Sequence, residues 1–184
     1  MKVLVGCEFS GIVRDAFISR GHEAISCDLE PTWKPGPHLQ ECILKVIARE
    51  QFDLAIFHPP CTDLAVSGRG SFKYKAVEQE TALNFVRLLL AAPIERICLE
   101  NPVSIISTRI KRPTQIIQPW MFGHGEDKLT CLWLKNLPRL RPTRYIKRGF
   151  HYSRVQSIGE QKDRAKMRSI TYTGIASAMA EQWG

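Results

Sequence analysis

The 184-residue sequence has no run of 18 apolar residues, no paired cysteines and no GxGxxG turn, and over one stretch it has almost no acid. Without such a run, no membrane-spanning helix is expected. The N-terminus MKVLVGCEF carries one lysine and a short apolar stretch that ends at Glu8, which reads as a first strand and not a signal peptide. The six cysteines (Cys7, Cys27, Cys42, Cys61, Cys98 and Cys131) stand singly, several of them inside apolar runs. They read as reduced thiols of a cytoplasmic protein, and with no paired ligand spacing no metal is expected. Val13 and Arg14 follow Gly11 where a glycine-rich turn would continue. A dinucleotide pyrophosphate therefore has no cradle, and a nucleoside ligand without phosphates fits better. Residues 135–168 hold eleven Lys and Arg against only Glu160 and Asp163, a net +9, so the rest of the chain carries −1 of the overall +8. That concentration suits a polyanionic partner.

What is present is an alternation of strands and helices. Lys2 to Gly6, Glu23 to Cys27, Asp53 to Phe57 and Arg96 to Leu99 are short apolar runs of the kind found in buried parallel strands. Ile12, Val13, Phe17 and Ile18 recur at helical spacing before Gly21. Leu39 to Glu50 can form a helix, and Ala76 to Ala92 predicts another with Ala82, Phe85, Val86 and Leu89 on one face. Lys128 to Leu134 reads as a strand and Gly174 to Trp183 as a closing helix. Together these predict one α/β domain over residues 1–184, with a mostly parallel sheet flanked by helices. In such sheets ligands bind outside the carboxyl ends of the strands. Cys7 to Gly11, Asp28, His58 to Cys61 and Glu100 to Pro102 each follow a predicted strand, so they should gather along one edge.

Their chemistry is suggestive. Asp28 at a strand end can accept from ribose hydroxyls, or it is an idle loop carboxylate. Pro59 and Pro60 stiffen the backbone before Cys61, a good mount for a thiolate that adds to C6 of a pyrimidine. Glu100, kept partly protonated by burial, could donate to N3 of a cytosine and accept from its amine.

The segments CEFSGIVRDAF, HPPCT, ENP, QPWMFG followed by K-x-T-C-L-W-L, and TYTGIA-x-AMA-x-QWG resemble the DNA (cytosine-5)-methyltransferase family, and its compact phage and prophage members in particular. The resemblance covers nearly the whole chain. It implies a class I S-adenosylmethionine-dependent methyltransferase (Rossmann-like) fold and S-adenosyl-L-methionine as cofactor. Phe9 would pack on the adenine, Gly11 would let the backbone approach, and Asp28 would bind the ribose, with Ser10, Leu29 and Pro60 beside them. Cys61 would attack a flipped-out cytosine, Glu100 would hold N3 and N4, and Asn101 would support that loop. The family's Gln-x-Arg-x-Arg segment corresponds to Glu126-Asp127-Lys128-Leu129-Thr130, which leaves Lys128 to reach the base. In place of a target-recognition domain stands the short basic segment 135–170. Arg139, Arg141, Arg144, Lys147, Arg148 and Arg154 would dock DNA with weak or very short sequence specificity. RNA as substrate, the N4 amine as acceptor, and a binding protein of this fold with weakened catalysis are the other readings. A zinc deaminase is excluded because no second cysteine follows Pro60-Cys61 at the required spacing.

Overall fold

The structure, a computed structural model, describes residues 1–146 and 166–184. Seven strands form one sheet: β1 (Lys2–Gly6), β2 (Glu23–Asp28), β3 (His38–Gln40), β4 (Leu54–Phe57), β5 (Arg96–Pro102), β6 (Gln115–Ile117) and β7 (Thr130–Lys135). Their order is β3-β2-β1-β4-β5-β7-β6. The first five pair in parallel, and β7 runs antiparallel to both β5 and β6. The expected mostly parallel sheet is therefore present.

Alternation along the strands builds two apolar layers. Val3 and Val5 face one side with Leu54, Ile56, Leu132 and Leu134, and there α1 (Ile12–Ile18) and α5 (Thr173–Trp183) cover them. Leu4, Ala55, Phe57, Ile97, Leu99 and Trp133 face the other side under α2 (Ile43–Arg49), α3 (Ala76–Leu90) and α4 (Ile106–Arg109). The stripe that α3 buries is Gln79, Leu83, Val86 and Leu89, while Ala82 and Phe85 are only half-buried, one step off the expected face.

Four elements differ from expectation. The helix expected over Leu39–Glu50 is divided, because His38–Gln40 pairs with β2 as an edge strand before α2 begins. β5 runs on to Pro102, since β7 pairs with it as far as Thr130. Glu100, Asn101 and Pro102 thus lie inside the strand and not after it. β6 and α4 had no counterpart in the sequence reading.

Strand order reverses between β1 and β4, so their carboxyl ends flank the crevice where such sheets place ligands. Beside it, Arg14 is fully buried and reaches across to the proline-rich loop. Its guanidinium donates to the carbonyls of Lys34 and Pro35 at 3.1 and 3.3 Å and to the Ser26 hydroxyl at 3.2 Å, and it pairs with Asp15 at 2.8 Å. The position that breaks the glycine-rich pattern is the one that pins this loop to α1.

Candidate active site

The loop after β4 is held from two sides. The prolines restrict its backbone, and the buried Asn101 amide donates to the Pro59 carbonyl at 2.9 Å. The Cys61 carbonyl accepts from the N–H groups of Leu64 and Ala65, which turns the chain just beyond the half-buried thiol. Phe57 lies opposite Leu99 in the β4–β5 register, so His58 comes next to Glu100. Nδ1 of His58 is 2.9 Å from Oε2 of Glu100, and the two side chains are only 6% and 12% exposed. Sequence reasoning passed over His58, because only the strand register of the fold brings it to Glu100.

Charge at this tip is balanced closely. Burial pushes the Glu100 carboxyl up, but the hydrogen bond from His58 and the positive charges of Lys128 and His58 outweigh it, so its pKa lies below the usual carboxylate value. This corrects the expectation that burial keeps Glu100 partly protonated: in the free site it is a carboxylate. Burial also pushes the Cys61 thiol up, the Glu100 charge pushes it further, and Lys128 and Arg168 only partly oppose them. Lys128 donates to the Arg168 carbonyl at 2.8 Å and lies over the Tyr172 ring at 5.8 Å. A small cleft is lined by Glu100, Lys128, Thr130, Thr171, Tyr172 and Ile175. The exposed Pro60 lines a second cleft of about 400 Å³ with Asp63, Val77 and Phe85, a volume in the range of small-molecule sites.

The turn after β1 carries the other group of side chains. Oε1 of buried Glu8 accepts from the Ser10 hydroxyl at 2.8 Å and the Val13 N–H at 3.0 Å, while its Oε2 is buried with no hydrogen-bond partner among the described residues. Gly11 has φ 74°, and a Cβ there would run into the Arg14 guanidinium. The Phe9 ring meets Trp33 edge-on at 4.9 Å, and Lys166 lies over both rings while pairing with Glu30 at 3.2 Å. Asp28, half-buried at the tip of β2, accepts from the Glu30 N–H at 3.0 Å. Leu29 is 72% exposed. Glu8 and Trp33 were not singled out from sequence. An aromatic ring and carboxylates on the tips of neighbouring strands suit a nucleoside with free hydroxyls, and the unpartnered Glu8 oxygen adds an acceptor there. Among the described residues, no cluster of His, Cys, Asp or Glu could hold a metal, and no helix is long and apolar enough to cross a membrane.

The described basic residues of this segment are not gathered at one place. β7 runs away from the site edge, so Arg139 and Arg141 come out at the opposite edge. There the backbone of Arg141 exchanges two hydrogen bonds with Gln182, near the far end of α5. The chain then returns: Arg144 pairs with the backbone of Met121 and Gly123, and a Cβ on Gly174, at the start of α5, would meet the Phe122 carbonyl. Arg139, Arg141 and Arg144 are all exposed. Lys147, Arg148 and Arg154 lie outside the described residues.

No protein-family model matches the sequence, and no characterised protein matches it by sequence. Among solved structures, the chain is similar to a protein encoded within an E. coli prophage, to which DNA modification methyltransferase activity is attributed. The TM-score is 0.51 at 12% identity over 79% of this chain. The chain spans about half of that structure's length, 52%. With the strand order, this likeness gives the fold: an α/β, Rossmann-like methyltransferase fold with helices on both faces of a seven-stranded sheet.

Proposed function

We propose that this chain is an S-adenosyl-L-methionine-dependent DNA methyltransferase that modifies carbon 5 of cytosine, with Cys61 as nucleophile. The observation that carries this reading is the tip of β4 and β5: a thiol on a proline-stiffened loop stands in the field of a buried carboxylate and of Lys128. The prophage neighbour adds the expectation of DNA as substrate. Phe9, Asp28 and the Glu8–Gly11 turn would hold the cofactor's nucleoside, with Ser10, Leu29 and Pro60 beside it. The cofactor supplies an electrophilic methyl group.

The residues of the chain do the rest. Cys61, as thiolate, adds to C6 of a cytosine turned out of its stack, and the C5–C6 electrons move toward C5. Glu100 holds N3 and N4, Asn101 keeps the Pro59–Cys61 backbone in place, and Lys128 offsets the negative charge that builds up near the thiol. After C5 has been methylated it loses its proton, the C5–C6 double bond re-forms, and Cys61 departs as thiolate. Arg144 and the basic residues that follow it would contact phosphates, which gives affinity with little sequence readout.

The test is trapping. With labelled cofactor and an oligonucleotide containing 5-fluorocytosine, the protein should form a stable covalent adduct that Cys61→Ser abolishes. Methyl transfer to an ordinary oligonucleotide without any adduct would point instead to the N4 amine.

A further inference from the structure

A carboxylate cannot by itself protonate the ring it holds. Addition of Cys61 to C6 requires a proton on N3 of the cytosine, and Glu100 is ionised in the free site. Among the described residues, His58 is the only titratable side chain bonded to Glu100; its Nδ1 takes up Oε2 and leaves the second oxygen for the base. The pair is secluded from bulk water, with exposures of 6% and 12%. Nε2 of His58 is buried and, among the described residues, has no hydrogen-bond partner. A purely structural histidine in the interior usually has its second nitrogen tied to a carbonyl or carboxylate, which fixes the tautomer. This one is tied only through Glu100.

We propose that His58 is the proton source behind Glu100, so that the imidazole and the carboxyl act as one pair that hands a proton to N3 as the thiolate adds to C6. The assignment rests on the carbon-5 reading above. The pair starts as imidazolium and carboxylate. As the C6–S bond forms, Oε2 takes the proton from Nδ1, the carboxyl turns about its Cγ–Cδ bond so that this O–H faces N3, and N3 takes the proton, which leaves neutral imidazole and a carboxylate. When C5 gives its proton to water and the C6–S bond breaks, N3 returns its proton through the carboxyl to Nδ1.

The other charged and ionisable groups around the pair come from every element packed against it. Cys61 lies on the same loop and Lys128 ahead of β7, with Arg168 beside it. Burial pushes Cys98 on β5 well up, and it pushes Cys131 on β7 up to about 11. Glu126 accepts from the Tyr172 hydroxyl. On the β1 side, burial pushes the Cys7 thiol far up.

The experiment is the single-turnover rate of 5-fluorocytosine adduct formation against pH in the wild type, His58→Asn and His58→Gln. Asn keeps an N–H near the Nδ1 position but cannot titrate. The wild-type rate should be bell-shaped, rising as Cys61 ionises and falling as the pair loses its proton. His58→Asn should lose about 100-fold or more in rate at neutral pH, the scale of a general acid. Its KM for DNA should stay within about 2-fold, and its falling limb should move to acid pH. A profile for His58→Asn parallel to wild type and within about 3-fold of it reduces His58 to a prop and overturns the proposal. No adduct from the wild type removes the carbon-5 reading, and this proposal with it. If both variants fail to fold, the ¹⁵N titration of the His58 ring in the unliganded protein decides. Glu100→Gln should shift that titration to lower pH, and an unchanged titration overturns the pairing.

Discussion

Cys61 feels opposing charges, and its reactivity should follow them one by one. Burial and then Glu100 raise its pKa, so the thiolate is scarce near neutrality and grows as pH rises. Alkylation by iodoacetamide, read as a pH profile against a Cys61→Ser blank, should move to lower pH in Glu100→Gln and to higher pH in Lys128→Met. If neither profile moves, the two charges do not act on the thiol. Cys61, Glu100 and Asn101 could be singled out in the sequence because strand-end positions in an α/β pattern are few and only some of them carry chemistry. His58 could not. Its role comes from facing Glu100 across a strand pair, 42 residues away, and neither residue's neighbours reveal that register. The ionised state of Glu100 was equally hidden, because it depends on His58 and Lys128 more than on burial alone.

Among the elements, the long central strands were legible because continuous apolar runs bounded by turn residues admit few other readings. β3 and β6 were not: each has three residues and sits at a sheet edge, too short for any periodicity to register. The antiparallel direction of β7 was hidden too, since a strand's residues do not encode which way its partner runs. The loop that follows β2 is held by Arg14; removing that side chain takes the guanidinium donor from the Pro35 carbonyl and leaves the Lys34 carbonyl with the Thr32 hydroxyl. Arg14→Met should therefore cost about 3 kcal/mol, measured by urea unfolding, the scale of a broken buried charge network. A loss within about 0.5 kcal/mol would mean the loop finds other donors. At the head of α5, the Gly174 N–H donates to His124 at 2.9 Å and the Phe122 carbonyl crowds the place of a side chain. Gly174→Ala should lower Tm by several degrees, as scanning calorimetry would show.

At the scale of the whole molecule, the described basic residues lie at both edges of the sheet and not at one. Basic residues can be counted in the sequence but not assigned a side, because the reversal of β7 decides where residue 135 and its successors emerge. Arg141 is bonded to Gln182 while Ile175 lines the cleft with Glu100, so roughly 10 Å of α5 separates the two levels, taking about 1.5 Å per residue. The double variant Arg139→Glu with Arg141→Glu should leave DNA affinity and its salt slope nearly unchanged. Arg144→Glu should weaken binding at every sequence and flatten the slope by about one, in anisotropy titrations across salt. Equal losses from the two variants would mean that DNA wraps the far edge as well.

The packing of α1 against α5 has a consequence for how the protein is made. Val13 and Phe17, near the start of the chain, are sealed by Ile175, Met179 and Ala180, near its end, and Arg20 pairs with Glu181 across the same seam. During synthesis that side of the sheet stays open to water until the residues after Thr173 have left the ribosome. The layer under α2 and α3 can close earlier, so a stalled or shortened nascent chain exposes one specific oily surface for a chaperone to grip.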